Sequence, residues 1–306
     1  MIKRIIQILL PIFLVYALAF YILYIKPQPN VVQHDILQSE HEGPLVIAHR
    51  AGDLIAPGNS MAAIEQSAEL GVDLIELDIH ITKDGHLVLM HDPSVDRTTD
   101  GSGLVSELTL EEFQMLDAGF HFLDLNGEYS FRGLGVYKPT LEEVFQEYPD
   151  MKYMLEIKHT NPPQLYGDIA LKLWDLIQEY DMEDKVLVSS FDQEIIDEFN
   201  EHAEGRVALG TGEQSAFNFV ITNKLWVRNF FKPNGHAIQF PVRNKFFNFF
   251  TEEIIEGAQR LGMDIHYWTI NDEETMRELI DAGVDGIITD RPDMLIDILE
   301  EKGMRK

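Results

Sequence analysis

The chain contains no cysteine. Disulfide cross-links, thiolate nucleophiles and cysteine-ligated zinc are therefore excluded, although this leaves the redox compartment undetermined. Positive charge is scarce as well: 24 Lys and Arg stand against 52 Asp and Glu, for a formal net charge of -28. A backbone-gripping nucleic-acid binder needs a basic footprint, so this balance argues against general nucleic-acid binding. Any site that handles phosphate must overcome the same field locally with a cation. From Ile5 to Ile25 there is no charged side chain at all. At about 1.5 Å per residue, a helix of that length spans roughly 30 Å, the hydrocarbon thickness of a bilayer.

Residues 1–25 are accordingly predicted to be a transmembrane anchor. Ala17-Leu18-Ala19 has the small-x-small form of a signal cleavage site, but Phe20 to Ile25 carries the apolar run past it. An uncleaved anchor is the reading adopted over a cleaved signal or a buried helix. Lys3 and Arg4 precede the segment and Lys26 follows it, a margin of one charge that places the N-terminus in the cytoplasm. The protein is then single-pass, with the domain that follows outside the cytoplasm. Residues 26–43, with Pro27, Pro29 and Asn30 and little apolar periodicity, read as a linker. Residues 44–306 are left for one folded domain, with a glycine-rich inserted region near 96–138.

Within that domain nine short apolar runs read as strands: Leu45–Ala48, Leu74–Ile79, Leu87–Met90, Met154–Ile157, Val186–Val188, Val207–Leu209, Ala237–Phe240, Ile265–Trp268 and Gly286–Ile288. Stretches of helical spacing separate many of them, including Asn59–Leu70 with Ser60 as its N-cap, Ile169–Tyr180, Glu252–Leu261 and Glu273–Ala282. Repeated β/α alternation predicts a parallel sheet covered by helices, with a TIM (β/α)8 barrel favoured over a doubly wound sheet. Candidate chemistry follows strands along the whole domain rather than at one switch point. Nine runs are one more than the barrel requires, and one of the pair around the Asp84-Gly85 turn is expected to be an accessory hairpin strand.

Glu76 and Asp78 are two apart in a strand and leave the same face, while Leu77 and Ile79 face the other way. Glu156, between Leu155 and Ile157 in a later strand, supplies a third carboxylate. Carboxylates held together repel unless one is protonated or a cation neutralises them, and three such oxygens suit Mg²⁺ or Ca²⁺. Ion pairs with neighbouring lysines or arginines are the plainer alternative. His49 and His91 each end a strand, where one imidazole can accept a proton and the other donate one. Each could instead be a core histidine or a metal ligand. Asp92 is placed to orient an imidazole or its loop. Arg50 and Lys158 add positive charge, a planar fork and a point charge respectively, either for a phosphate or for the carboxylates.

The combination resembles the glycerophosphodiester phosphodiesterase family over about residues 44 to 300. Members usually carry His-Arg-Gly and then Pro-Glu-Asn-Thr; His49-Arg50-Ala51-Gly52 and Pro57-Gly58-Asn59-Ser60 stand in those places. Glu76-Leu77-Asp78, Thr82-Lys83-Asp84-Gly85, His91-Asp92, Leu155-Glu156-Ile157-Lys158, Trp268-Thr269-Ile270-Asn271 and Gly286-Ile287-Ile288-Thr289-Asp290-Arg291-Pro292 follow in the family order. The resemblance implies a TIM barrel that cleaves glycerophosphodiesters to glycerol 3-phosphate and an alcohol with one divalent cation, Ca²⁺ or Mg²⁺. It assigns Glu76, Asp78 and Glu156 to the cation, and His49 and His91 to proton transfer. Arg50 and Lys158 fall to the phosphate, and Trp268 to the wall of the glycerol pocket. Gly58 departs from the pattern and removes a local acid near Arg50.

Residues 215–250 reverse the acidic character of the whole, with five Lys or Arg, no Asp or Glu, and ten Phe or Trp. Phe217, Phe219, Trp226, Phe230, Phe231, Phe246, Phe247, Phe249 and Phe250 are expected to dip into a membrane interface. Lys224, Arg228, Lys232, Arg243 and Lys245 would then meet lipid phosphates. Membrane lipid is thus an expected partner, and lysophospholipase D-type cleavage of a lysophospholipid is the alternative activity. An inactive lipid-binding barrel and a sugar-acting barrel with paired carboxylates are the remaining alternatives. No motif for a specific protein partner is identified.

Overall fold

The computed structural model describes residues 2–26 and 31–306. Pro27, Pro29 and Asn30 of the expected linker lie outside the described residues. Helix α1 (Ile2–Phe20) continues through a wider turn, Tyr21–Ile25, and the 20 residues Ile6–Ile25 are long and apolar enough to cross a membrane. None of that window is buried against the rest of the chain.

The apolar runs form the strands that their composition predicts: β1 (Leu45–Ala48), β2 (Leu74–Ile81), β3 (Leu87–Leu89), β4 (Tyr153–Ile157), β5 (Val186–Ser189), β6 (Ala208–Leu209), β7 (Ala237–Pro241), β8 (Asp264–Trp268) and β9 (Gly286–Thr289). Eight of them are parallel, in the order β6-β5-β4-β2-β1-β9-β8-β7. A bridge between Gly210 and Ala237, with the His236 N–H donating to the Leu209 carbonyl at 2.7 Å, joins the two ends into a near-closed barrel. Closure removes the open-sheet alternative. The ninth strand, β3, pairs antiparallel with the far end of β2 through the turn at Asp84-Gly85, where Gly85 takes φ 87°. It is the accessory strand. An apolar run reports burial but not direction, which is why the sequence alone does not tell which of the nine stands outside the barrel.

The outer layer comprises α2 (Met61–Leu70), α3 (Leu110–Gln114), α4 (Leu141–Glu147), α5 (Tyr166–Glu179), α6 (Gln193–Ala203), α7 (Glu213–Lys224), α8 (Glu252–Gln259), α9 (Glu273–Asp281) and α10 (Pro292–Glu301). Side-chain caps fix the starts of α2, α3 and α4: Ser60 accepts from the Ala63 N–H, and Thr109 and Thr140 form reciprocal boxes with Glu112 and Glu143.

The alternation of strand side chains divides the core. Leu77, Ile79, Ile265 and Tyr267 face the helices. Inside the barrel, Leu45, Ile47, Leu74, Met154, Leu187, Ala208, Ala237 and Ile288 form an apolar layer near the N-terminal ends of the strands. That end is stoppered by Ile36 and Leu37, which a short 3-10 turn, Asp35–Leu37, carries into the same cluster. The charged residues that share the inward face, Glu76, Asp78 and Glu156, lie above the apolar floor, toward the C-terminal strand ends. The region 96–138 forms short turns and loops around a small cluster of Val88, Met90, Val95, Val105 and Phe113 beside that face.

Candidate active site

β1 ends at Ala48, and the chain turns at once through His49, Arg50 and Ala51. Arg50 and Ala51 hold φ of 51° and 62°, a left-handed conformation that non-glycine residues adopt at a cost and that recurs at functional sites. The bend lets the Arg50 N–H donate to Glu76 Oε2 at 2.7 Å and brings His49 over the barrel mouth. β2 supplies Glu76 and Asp78, and its parallel neighbour β4 sets Glu156 in register with Asp78. One ligand atom from each of Glu76, Asp78 and Glu156 lies within 4.8 Å of the others.

Asp78 is the most heavily compensated of the three. Asn59 donates to its Oδ2 at 2.7 Å, Lys158 Nζ stands 3.1 Å from Oδ1, and Arg50 Nε is 3.6 Å away. Burial opposes its charge, yet Lys158, His91 and Arg50 outweigh it and hold the carboxyl well below its ordinary range. Glu76 has no such escort. Burial and the adjacent Asp78 push it up to about 8. Burial and Asp78 likewise lift Glu156 to about 6. Lys158 Nζ lies 2.9 Å from Glu156 Oε1, but the pair is poorly aligned and that buried oxygen has no well-formed hydrogen bond. Crowded, buried, oxygen-only donors with an unsatisfied oxygen fit a hard divalent cation.

The two histidines are oriented alike. His49 Nδ1 pairs with Asp290 Oδ1 at 2.6 Å, and His91 Nδ1 pairs with Asp92 Oδ1 at 2.7 Å. Among the described residues neither ring has a hydrogen-bond partner at Nε2, and both histidines line a cavity of about 120 Å³ together with Arg50, Glu76, Glu156 and Lys158. Burial works against a charged His49, but its bond to Asp290 and the nearby Glu76 raise it above its ordinary value. Burial lowers His91 below its ordinary value, against the attraction of Asp78 and with Lys158 and Arg50 acting in the same direction as burial.

The structure therefore brings together all eight residues singled out in the sequence: His49, His91, Arg50, Lys158, Trp268, Glu76, Asp78 and Glu156. It also adds residues that had no assigned role. Asp290 orients His49 and is itself held by Asn271 at 2.6 Å. Asn59 bonds Asp78 through both side-chain and backbone groups. Arg97, from the inserted region, fixes Asp92 at 2.5 Å. At the departure from the family pattern, Asp53 accepts from Arg50 at 3.1 Å and from the Gly58 N–H at 3.0 Å. A Cβ on Gly58 would overlap the Asp53 carboxylate, so an acid at 53 now stands where a side chain at 58 would lie.

A larger cavity of about 420 Å³ adjoins the polar one and shares Glu156, Ser189, Phe191, Gln239 and Trp268 with it. Its apolar wall comes from Phe217 of α7, Phe240 of β7 and the phenylalanines of the loop after β7, and Thr211, Glu213 and Asn244 add polar groups to the lining. The single aromatic patch expected from 215–250 is corrected here. Phe219, Phe231 and Phe249 are buried in the core, where Phe219 packs on Phe231 and Phe240 and Phe249 stacks on Phe240, and cannot reach a membrane. Phe217, Trp226, Phe230 and Phe246 are exposed. Arg228 donates through Nε to the Tyr24 carbonyl and stacks on the Tyr24 ring at the end of the apolar helix.

Residues 49–294 match the model of the glycerophosphoryl diester phosphodiesterase family. A glycerophosphodiester phosphodiesterase of Caldanaerobacter subterraneus is 37% identical over 262 residues, covering 85% of this chain and 99% of the relative. One from Bacillus altitudinis is 30% identical over 261 residues, covering 84% and 98%. Among solved structures, an Oleispira antarctica phosphodiesterase in complex with the product sn-glycerol-3-phosphate superposes with a TM-score of 0.67 at 24% identity, over 84% of this chain and 97% of that one. With its barrel closed and its carboxylates and histidines gathered at one mouth, the chain belongs to the glycerophosphoryl diester phosphodiesterase family.

Proposed function

We propose that this protein is a membrane-anchored enzyme that hydrolyses glycerophosphodiesters to glycerol 3-phosphate and an alcohol, with one divalent cation, Ca²⁺ or Mg²⁺, held by Glu76, Asp78 and Glu156. The observation that carries the reading is the meeting of three buried carboxylates beneath two histidines whose Nδ1 atoms are each fixed by an aspartate. When bound, the cation offsets phosphate charge and polarises a nonbridging oxygen. Arg50 and Lys158, already facing the carboxylates, orient the phosphate from the protein side. Trp268 lines the pocket against the glycerol.

Asp290 favours the charged form of His49, which suits it to donate a proton to the departing alkoxide. His91, biased to the neutral form with its Nδ1 proton held by Asp92, presents Nε2 to accept a proton from the nucleophile. The apolar helix α1 and its continuation span the membrane once, and the barrel stands outside the cytoplasm. The test is a panel of glycerophosphodiesters supplied to the detergent-solubilised full chain with Ca²⁺ or Mg²⁺ separately. Cation-dependent release of glycerol 3-phosphate is expected, lost in His49→Ala and His91→Ala while cation binding persists. Undiminished activity in either variant overturns the assignment.

A further inference from the structure

We infer that the aromatic cavity beside the catalytic pocket is an acyl-chain site, and that the preferred substrate is a single-chain glycerophospholipid drawn from the membrane. The inference rests on the reaction proposed above and names its substrate more narrowly. A volume of about 420 Å³ lies within the range of small-molecule sites, roughly 300–1,000 Å³. Phe217, Phe240, Phe246, Phe247, Phe249 and Trp268 form its apolar wall, and Glu156, Thr211, Glu213, Gln239 and Asn244 also line it. A fully polar glycerophosphodiester would leave this surface unfilled, and burying its hydroxyls there would cost free energy. An alkyl chain instead gains by removing apolar surface from water.

Continuity decides which end of the substrate enters. Trp268 and Phe191 pack edge to face at 5.8 Å and belong to both cavities. A glycerol at Trp268 with its phosphate toward Arg50 and Lys158 therefore directs an ester-linked chain into the phenylalanine-lined space. The outer wall leads toward the bilayer. On α7, Phe217 and Ile221 are four apart and share one face, which leads from the cavity past Leu225, the residue that closes the helix, to exposed Trp226 and Phe230. Beside these, Arg228, Asn229 and Arg260 donate to the carbonyls of Tyr24, Ile22, Ile25 and Lys26, the orphan acceptors at the end of the apolar helix. The helix that would cross the membrane is thus docked at one end of the strip, and the cavity opens at the other. The segment 215–250 has no acid to repel lipid phosphates, the acid nearest in sequence before it being Glu213 at the start of α7, which lines the cavity.

Cleavage balances as ordinary hydrolysis. Water oxygen bonds to phosphorus, the bond from phosphorus to the headgroup oxygen breaks, and that oxygen takes a proton. The products are an acylated glycerol 3-phosphate and the free alcohol.

The test compares glycerophosphocholine with lysophosphatidylcholines of six and twelve acyl carbons, using the full chain in detergent micelles, as wild type and as Phe217→Ser and Phe246→Ser. Both positions are exposed and lie outside the catalytic groups. The six-carbon substrate is expected to exceed glycerophosphocholine in kcat/KM by at least tenfold, since each buried methylene is worth about fourfold. Each variant is expected to cut that preference about fivefold or more while leaving glycerophosphocholine within twofold. Equal or better cleavage of glycerophosphocholine by wild type overturns the acyl site and leaves the reaction standing. A preference untouched by either variant, or an equal loss on both substrates, assigns the cavity to something other than the acyl chain and also overturns it. Failure on all substrates with either cation overturns the underlying reaction.

Discussion

The catalytic pocket and the aromatic cavity share five residues, yet one is about 120 Å³ and ringed by ionisable groups while the other is about 420 Å³ and walled by phenylalanine. In the first, nearly every charge has a partner: Asp78 with Lys158 and Asn59, His49 with Asp290, His91 with Asp92. Glu76, which accepts from the Arg50 N–H, and Glu156, whose contact with Lys158 is poorly aligned, are the least compensated, and burial with the adjacent Asp78 raises both. In the second, the acyl selectivity inferred above would rest on shape and on which rings stay uncovered. The contrast teaches that chemistry and selectivity are built from different materials a few residues apart, so that variants can separate them.

The largest separation is expected at the histidines. His49→Ala and His91→Ala should each lower kcat by roughly 10²–10⁴, the range of general acid-base catalysis, with cation affinity and thermal midpoint retained. Steady-state kinetics beside a cation titration will check this. Asp290→Asn keeps the size of the partner but removes its charge. It should lower kcat by about tenfold or more and shift the limb of the pH-rate profile that reports His49 to lower pH, because the charged imidazole loses its counter-ion.

The cation site should be proton-linked. Below about pH 8, Glu76 holds a proton that the cation must displace, so apparent affinity should weaken about tenfold per pH unit as pH falls. Isothermal titrations at pH 6, 7 and 8 measure that slope. Stability follows with its own sign. Glu76 has a folded value near 8 against an ordinary 4.5, so its contribution is complete below 4.5 and is lost as pH rises through 8. Glu156, lifted to about 6, acts in the same direction. Asp78, depressed below its ordinary 3.8, has already delivered its stability at pH 5. The cation-free protein should therefore melt lower at pH 9 than at pH 6, and added Ca²⁺ should raise the midpoint more at pH 9. Smallest of all, Trp268→Ala removes the wall common to both cavities and should raise KM for acylated and acyl-free substrates alike, by several-fold, with kcat less affected.

Much of this architecture was legible because it depends on local composition. Buried parallel strands need runs such as Leu45–Ala48, and two carboxylates in one strand, Glu76 and Asp78, must share a face. What was not legible depends on distance along the chain. Asp290 meets His49 across 241 residues, and no spacing rule links them. Asn59 carries no charge to attract notice, although it anchors Asp78 twice. The aromatic segment misled for another reason: Phe219, Phe231 and Phe249 are as apolar as Phe217 and Phe246, and only packing tells which rings face the core. The substitution of Gly58 for the expected acid was visible, but not that Asp53 fills the space.

The central claim is tested most directly by titrating chelator-treated protein with Ca²⁺ at pH 8 while following release of glycerol 3-phosphate, in wild type and in Glu156→Gln. No activity is expected without the ion, full activity at one ion per chain, and at least about tenfold weaker binding in the variant. Full activity in excess chelator, or an unchanged titration in Glu156→Gln, would contradict it.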